Sequence, residues 1–514
     1  MNLLTAWSAT GRIGLYRGAG CRVPRVAAPR SAPKSAVASP ARWPCRFLRK
    51  RPGHPGRRVT GLATGPAVRD VSTGSACRLS ETLESGVEEA DDPSRRAAQR
   101  PEPSGHEGLP AADLRRGTDQ AGVRAYNERL ILSLIRRGDG LPKAEIARLT
   151  GLSPQTTTVI MNRLEADGLI RRGEPQRGRV GQPSIPYRLD PDGALAFGLK
   201  IGRRSTDLVL VDFVGRVIAR RHWTHAYPQP DLLLAQLAAG TADLTAGLSS
   251  ERRGRIVGFG IATPFELWNW APQVGAPAGV MEAWRGFDVA AEIGARVAWP
   301  VHVMNDGTAA CAAENFFGRA PAPRDFVYAF IGSFIGGGIV INGNVVPGRT
   351  GNAGAIGSMP IPLARADGSV TTAQLISSAS LAELEARLRL EGVDPSGLYI
   401  QPHDWPDYGA TLETWIAEAG RSLAVLTAAA TSILDFEAVV IDGAVPSAIR
   451  TRLVEATRAG LGHLDLQGLT PCDIREGTVG ADARAMGGAA LPFLANFARN
   501  REVLFKDASD AQRD

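Results

Sequence analysis

The sequence predicts a mixed α/β protein in which a small, mostly helical module precedes a larger layered region. The first observation is a helix–turn–helix pattern followed by a basic hairpin in residues 141–189. The second is the alternation of short apolar strands with helical patterns after residue 190. The third is the length of 514 residues, which is too long for one hydrophobic core. We therefore expect a leading segment at 1–120, the module at 121–190 and the layered region at 191–505.

The leading segment is rich in Arg, Ala, Pro, Ser and Gly and shows no sustained hydrophobic period. Such a composition buries too little apolar surface to offset the entropy of ordering, so we predict a disordered basic tail. Residues 1–69 contain 14 Lys and Arg residues and no Asp or Glu. This basic, acid-free composition is typical of organelle transit peptides. A simpler alternative is that translation starts near residue 120 and that this segment is upstream sequence.

Charge and cysteine content narrow the possible functions. The formal net charge is +7, but residues 122–190 contain 12 basic against 7 acidic residues, whereas 191–514 contain 27 against 34. The positive charge of the module suits nucleic-acid phosphates. Three of the five cysteines lie in the leading segment, and Cys311 and Cys472 are far apart, which favours neither a disulfide framework nor a zinc site. We expect a cytoplasmic protein without a metal or cofactor.

Three helices are predicted in the module, at 123–137, at 142–150 and from residue 153 to about residue 167. The spacing of the second predicts that Ile146 and Leu149 face inward. In the third, Val159, Ile160 and Leu164 form the predicted buried stripe. Ser153 is expected to cap this third helix through its hydroxyl, and the following proline fits the first helical position.

A predicted hairpin follows, with strands at 169–172 and 184–189. With the helices it completes a winged helix-turn-helix, whose third helix fits the major groove of DNA. Gln at the start of that helix can pair with adenine, Thr can contact a base or phosphate, and the wing arginines suit the minor groove or the backbone. The alternative is a small interaction module with a solvated basic face. The candidate DNA contacts are Ser153, Gln155, Thr156, Thr157, Arg163, Arg171, Arg172, Arg177 and Arg179.

The layered region is predicted to form two lobes, because about 300 residues exceed one core. Predicted strands lie at 194–199, 206–211, 255–261, 300–304, 327–331, 338–341 and 436–441. Predicted helices lie at 231–248, 309–314, 382–390, 411–431 and 447–461.

Two features of this region suggest a ligand site. The glycine-rich turn Gly332–Gly338 lies between two strands and could let backbone amides approach a phosphate. Asn305 and Asp306 follow a strand, where a carboxylate can accept a proton from a sugar hydroxyl or hydrogen-bond two hydroxyls. The alternative for this pair is an Asx cap on the next helix.

Three segments carry a family resemblance: VHVMNDGTAACAAENFFG at 301–318, IGSFIGGGIVINGNVVPGRTGNAGAIG at 331–357 and VVIDGAVP at 439–446. On these segments the chain resembles the ROK family of repressors, open reading frames and sugar kinases. It is most similar to the xylose- and N-acetylglucosamine-type repressors, across about residues 122–500. The resemblance implies an actin-like, hexokinase-like pair of α/β lobes with a ligand cleft between them, and assembly as a homodimer or homotetramer.

The resemblance also assigns sugar-binding positions. Asn305 and Asp306 occupy the sugar-contact positions, and Asp306 stands at the position of the kinase base. Sugar recognition is further expected near the backbone of Gly351, Asn352 and Gly354.

The chain departs from the kinases of this family at three places. Their Asp-x-Gly-Gly-Thr phosphate motif is replaced by a segment that begins at Lys200 and continues with two arginines, Arg203 and Arg204. Their Gly-Glu-Ile-Gly-His motif has become Gly-Ala-Ile-Gly-Ser at 354–358. Residues 357–401 contain no Cys or His, so the family's zinc motif is missing. Phosphoryl transfer depends on positioned charge and Mg²⁺, so these losses argue against kinase activity and against any catalytic residue.

Three hypotheses remain open. The favoured one is a repressor of carbohydrate-use genes that binds a double-stranded DNA operator and is released by a sugar or sugar-derived ligand. The second is an ATP-dependent sugar kinase with a DNA-binding appendage. The third is a DNA-binding protein whose layered region is a ligand-insensitive dimerisation scaffold.

Overall fold

The computed structural model describes residues 120–138, 140–176, 184–271, 275–277, 279–319, 323–364 and 368–499. The predicted tail before residue 120 and the wing tip with Arg177 and Arg179 lie outside these residues. Within the described part, no helix is long and apolar enough to cross a membrane.

The N-terminal module combines three helices with a small antiparallel sheet. The sequence predicts the helices and the hairpin of this sheet, but not its further strand at Leu141–Pro142. Its strands are ordered β1–β3–β2, so the hairpin strands pair directly. The helices are α1 (Gln120–Arg137), α2 (Lys143–Thr150) and α3 (Pro154–Ala166), and the strands are β1 (Leu141–Pro142), β2 (Ile170–Arg172) and β3 (Pro186–Leu189).

Two residues predicted to face the core of the module are exposed instead. Leu149 is 47% exposed and Val159 is 64% exposed. The buried face of α3 is centred on Ile160, Met161 and Leu164. At about 100° per residue, Val159 lies on the opposite side of that helix. The predicted stripe was therefore wrong at this position, because Met161 occupies the core instead.

The first lobe is a five-stranded sheet in the order β6–β5–β4–β7–β8. Strands β4, β7 and β8 run parallel, so their carboxyl ends meet at one edge. The strands are β4 (Leu195–Ile201), β5 (Ser205–Asp212), β6 (Val217–Thr224), β7 (Ile256–Thr263) and β8 (Val301–Asn305), and the helices are α4 (Pro230–Ala246), α5 (Ser250–Gly254) and α6 (Val289–Gly294).

The second lobe has the sheet order β11–β10–β9–β14–β15 and a separate hairpin of β12 and β13. Helix α7 (Asp306–Phe317) leads into it directly from β8. The strands are β9 (Phe326–Ile331), β10 (Gly336–Ile341), β11 (Asn344–Val345), β12 (Pro360–Ala364), β13 (Val370–Gln374), β14 (Ala438–Gly443) and β15 (Asp473–Glu476). The helices are α8 (Ile376–Ala379), α9 (Leu381–Leu390), α10 (Gly397–Ile400), α11 (Gly409–Leu434) and α12 (Ser447–Leu461).

The last described helix, α13 (Ala483–Phe497), was not predicted from the sequence. Its many small residues and the internal Pro492 weaken the helical period on which the prediction depends. The helix packs against β4 and β7 of the first lobe and against α7. Its small residues allow this close approach, since a Cβ on Gly487 would overlap the carbonyl oxygen of Ala309 in α7.

Substituting Gly487 with alanine should therefore destabilise the protein, since a new methyl group would press against the backbone of α7. Overpacking of this kind costs about 1–3 kcal/mol of unfolding free energy. Thermal or denaturant unfolding measures the effect. Gly247→Ala is the matched control, because a Cβ there would meet nothing within 4 Å. Equal stability of the two variants would contradict the packing described for α13.

Candidate functional site

Helix α3 begins with the cap that the sequence predicts. The Ser153 hydroxyl accepts a hydrogen bond from the backbone N–H of Thr156 at 3.1 Å, and Pro154 is the first helical residue. Ser153 has extended backbone angles, as an N-cap residue requires. The cap holds the first turn of α3 in place at the surface of the module.

That first turn exposes two of the three predicted base contacts. Gln155 and Thr156 are exposed at the start of α3, and Val159 lies one turn further along the face of Gln155. Thr157 is only 1% exposed, so its prediction as a DNA contact is corrected. It lies on the side of α3 that packs on the module core.

Three of the arginines predicted to contact DNA lie within the described residues, and they differ in whether an acidic side chain balances their charge. Arg171 is exposed, and none of the described residues forms an ion pair with it. Arg172 is held by Glu165 through two hydrogen bonds of 2.7 and 3.2 Å. Arg163 lies 3.4 Å from Glu128, so its charge is partly balanced too. Of the three, Arg171 is the one whose charge no acidic side chain of the described residues balances.

A second candidate site is a cavity of about 110 Å³ between the two lobes. The first lobe contributes Asn305 and Asp306 at the junction of β8 and α7. Asn305 accepts hydrogen bonds from the backbone N–H groups of Gly307 and Thr308, at 3.0 and 3.3 Å. The capping alternative is therefore correct for Asn305. The carboxylate of Asp306 is 3.4 Å from Arg484 of α13.

The second lobe lines the cavity with backbone and small side chains. Asn352 and Gly354 line it, whereas Gly351 is exposed and does not. In the glycine-rich turn, Gly337 lines the cavity, but a Cβ there would also collide with the carbonyl oxygen of Tyr328. A Cβ on Gly338 would press on Cys311 of α7. Close packing of β10 therefore accounts for part of the glycine content.

Lys200, which replaces the acid of the kinase motif, is buried in an ion pair. Its ammonium donates to the Ser205 hydroxyl at 2.7 Å and to Asp207 at 3.0 Å. Burial acts to raise the pKa of Asp207, but Lys200 and His222 lower it well below its ordinary value. The charge of Lys200 is thus neutralised within the first lobe.

Arg203 reaches the cavity, which the sequence reading did not anticipate. Its guanidinium lies 4.6 Å from the Trp270 ring and 4.5 Å from the Phe334 ring. The residue is 9% exposed. Burial lowers the pKa of Arg203 to about 10, although the negative charge of Asp306 acts to raise it. Arg203 therefore remains protonated at neutral pH. Arg484 was missed as well, although it is the one charged residue in the otherwise small and apolar helix α13.

Helix α7 joins this cavity to the N-terminal module. Its first residue is Asp306, and its last turn receives Arg136 of α1. The Arg136 guanidinium donates to the carbonyls of Asn315 and Phe316 at 2.9 and 2.6 Å and lies 4.1 Å from the Phe316 ring. Burial, with a smaller effect of Arg137, lowers the pKa of Arg136 to about 9. The cation is stabilised by the negative end of the α7 dipole.

Helix α13 makes a parallel connection. Arg484 near its start contacts Asp306, and Arg129 of α1 donates to the carbonyl of Ala498 just after its end, at 3.4 Å. Helices α1 and α13 also pack against each other. Helices α7 and α13 therefore both extend from the cavity to α1. Among the described residues, no three His, Cys, Asp or Glu side chains are grouped to hold a metal ion.

The fold and both sites define a protein with a winged-helix module on a two-lobed, sugar-kinase-like domain. Residues 196–492 match the ROK family, and residues 124–171 match the winged helix-turn-helix DNA-binding family. The chain belongs to the ROK family, as the sequence resemblance predicts.

The chain is also similar to individual proteins. A Sinorhizobium fredii protein, y4fQ, itself uncharacterized, is 27% identical over 73% of this chain and 92% of its own length. The xylose repressor of Bacillus spizizenii is 24% identical over 47% of this chain and 62% of the repressor, less than two thirds of its length. A ROK family transcriptional regulator, a homolog of the E. coli MLC protein, is similar in fold. Its TM-score is 0.51 over 73% of this chain and 97% of that one, at 19% identity.

Proposed function

We propose that this protein is a cytoplasmic transcriptional repressor of carbohydrate-use genes, released from its operator by a sugar or sugar-derived ligand in the cleft. It acts as a homodimer or homotetramer on pseudo-palindromic double-stranded DNA, since a two-fold protein reads a two-fold site. The observation that carries the proposal is the capped helix α3, whose exposed first turn presents Gln155 and Thr156, in a module that also exposes Arg171.

The contacts of the cleft argue against phosphoryl transfer. Lys200 stands where a kinase of this family has an acid, and it is fixed in an ion pair with Asp207. Ala355 lines the cavity where the family motif has Glu. A binding site tolerates such losses, whereas phosphoryl transfer needs charge positioned around Mg²⁺ and the nucleotide.

The connection from cleft to module supports control by a ligand. A ligand that separates Asp306 from Arg484, or draws them together, moves the first turns of α7 and α13. Because α7 is a rigid rod of about 18 Å, its last turn follows, and Arg136 transmits the shift to α1. The coupling must be reciprocal, so operator DNA weakens ligand binding by the same factor.

Fluorescence anisotropy tests the proposal with the full chain and DNA from upstream of its own gene. We expect salt-sensitive binding that a sugar or sugar derivative from a panel reverses, and that Asp306→Ala makes insensitive to that ligand. No affinity for the DNA would reject the proposed function.

A coupled assay for ADP release with hexoses should detect no turnover, and rapid turnover would support the kinase alternative. Operator binding that no small molecule changes would support the scaffold alternative.

A further inference from the structure

We propose that the cleft binds an anionic, hydroxyl-bearing small molecule whose carboxylate or phosphate group lies between Arg203 and Arg484. This inference rests on the proposed function, because it names the chemical class of the effector. A preference for an anionic ligand would distinguish this cleft from one that binds a neutral sugar.

The charge balance of the cavity is the first argument. Its lining contains two guanidinium groups, from Arg203 and Arg484, and one carboxylate, from Asp306. Asp306 is 3.4 Å from Arg484, and its charge also acts on Arg203. One acid shared by a buried cation, Arg203, and a partly buried one, Arg484, leaves an excess positive charge, which an anionic ligand would neutralise.

Unused hydrogen-bond donors are the second argument. The Nε atoms of Arg203 and Arg484 are buried, and neither has a hydrogen-bond acceptor among the described residues. Buried donors without acceptors are rare in folded proteins, so each calls for a missing partner. Arginine presents its N–H groups as a planar fork that matches the two oxygens of a carboxylate or the oxygens of a phosphate.

The aromatic rings fix the direction of Arg203. Trp270 and Phe334 pack on each other with ring centroids 4.7 Å apart, and the guanidinium rests on both. Stacking holds the plane of the group without using its N–H donors. The Arg484 guanidinium is likewise placed 4.9 Å from the Phe330 ring. Both cations are therefore positioned before any ligand arrives, which lowers the entropic cost of binding.

The rest of the lining suits hydroxyl groups. Asn305, Asn352 and Ser358 present neutral polar side chains around the cavity, and the carboxylate of Asp306 can accept a hydrogen bond from a ligand hydroxyl. A small polyol that carries one acidic group satisfies both halves of the site. Hexuronic acids and hexose 6-phosphates are the two sources of this chemistry.

Calorimetry and thermal unfolding of the full chain test the inference at constant ionic strength. The probes are glucose, galactose, their uronic acids and their 6-phosphates, together with inorganic phosphate and sulfate. We expect at least one acid or phosphate to bind tenfold or more tightly than its neutral parent. Inorganic phosphate or sulfate should raise the melting temperature more than chloride does. The uronate and phosphate arms distinguish the two sources.

Variants link the effect to the cleft. Arg203→Gln should remove the anion preference by tenfold or more, and Arg204→Gln, which changes a neighbouring arginine outside the cavity lining, should retain it. If Arg203→Gln fails to fold, Arg484→Gln provides an independent test of the anion preference. The inference is overturned if neutral parents bind as tightly as their acids and phosphates, or if phosphate and sulfate act only as chloride does. These readouts use no DNA, so such a failure leaves the proposed function standing.

Discussion

Replacing Gln155 with alanine should weaken binding of the operator by at least tenfold while leaving non-specific DNA binding nearly unchanged. Gln155 is exposed in the first turn of α3, and a Gln–adenine pair contributes about 1–3 kcal/mol of base discrimination. An oligomer that contacts two half-sites loses this contribution twice. Anisotropy with operator DNA and with scrambled DNA of equal length measures both effects.

Two further variants sharpen this result. Thr158→Ala should bind normally, because the Thr158 hydroxyl already donates to the Pro154 carbonyl at 2.8 Å within the helix. Arg171→Ala should weaken binding to operator and scrambled DNA alike and reduce the salt dependence by about one charge. If Gln155→Ala bound the operator like the wild type, α3 would not be the helix that reads the bases.

Replacing Arg136 with methionine should uncouple ligand from DNA. The wild-type ratio of operator affinities without and with ligand is expected between about 5 and 150, the usual range of allosteric coupling. Methionine fills similar space beside Phe316 but cannot donate to the carbonyls at the end of α7. We expect the ratio to fall below about two, because the remaining connection through α13 and Arg129 is a single long hydrogen bond of 3.4 Å. Ligand affinity at the distant cleft should be retained.

The measurement is a ligand titration of the preformed protein–operator complex, with thermal unfolding to verify that the variant is folded. Arg137→Met is the matched control, because the hydrogen bond of Arg137 within the described part of the chain is a long, exposed one of 3.5 Å to the Gly343 carbonyl. It should be released like the wild type. Full release of the Arg136→Met complex would show that the signal does not pass through this contact.

Local signals in the sequence predicted many of the elements, but not β6, the β12–β13 hairpin, β15 or α13. The cap at Ser153, the hairpin after α3 and the strand before Asn305 all appear as expected, since each depends on residues that are neighbours in the chain. The side of a helix that faces a core was less predictable. Val159 and Thr157 exchange their expected places, because the packing of α3 on the rest of the module sets the buried face. The predicted domain limits and the wing contacts at Arg177 and Arg179 stay predictions.

The sequence by itself determined the family, the order of the modules and the loss of the kinase motifs, because each of these depends on residues that are contiguous in the chain. Only the tertiary structure brought Arg203 and Arg484, 281 positions apart in the chain, to one cavity around Asp306. It also placed Arg136 at the far end of the helix that Asp306 begins. The first arrangement depends on the packing of α13 against α7 and the first sheet, and the second on the contact of α1 with the last turn of α7. Contacts between segments so distant in sequence leave no local pattern from which they could be read.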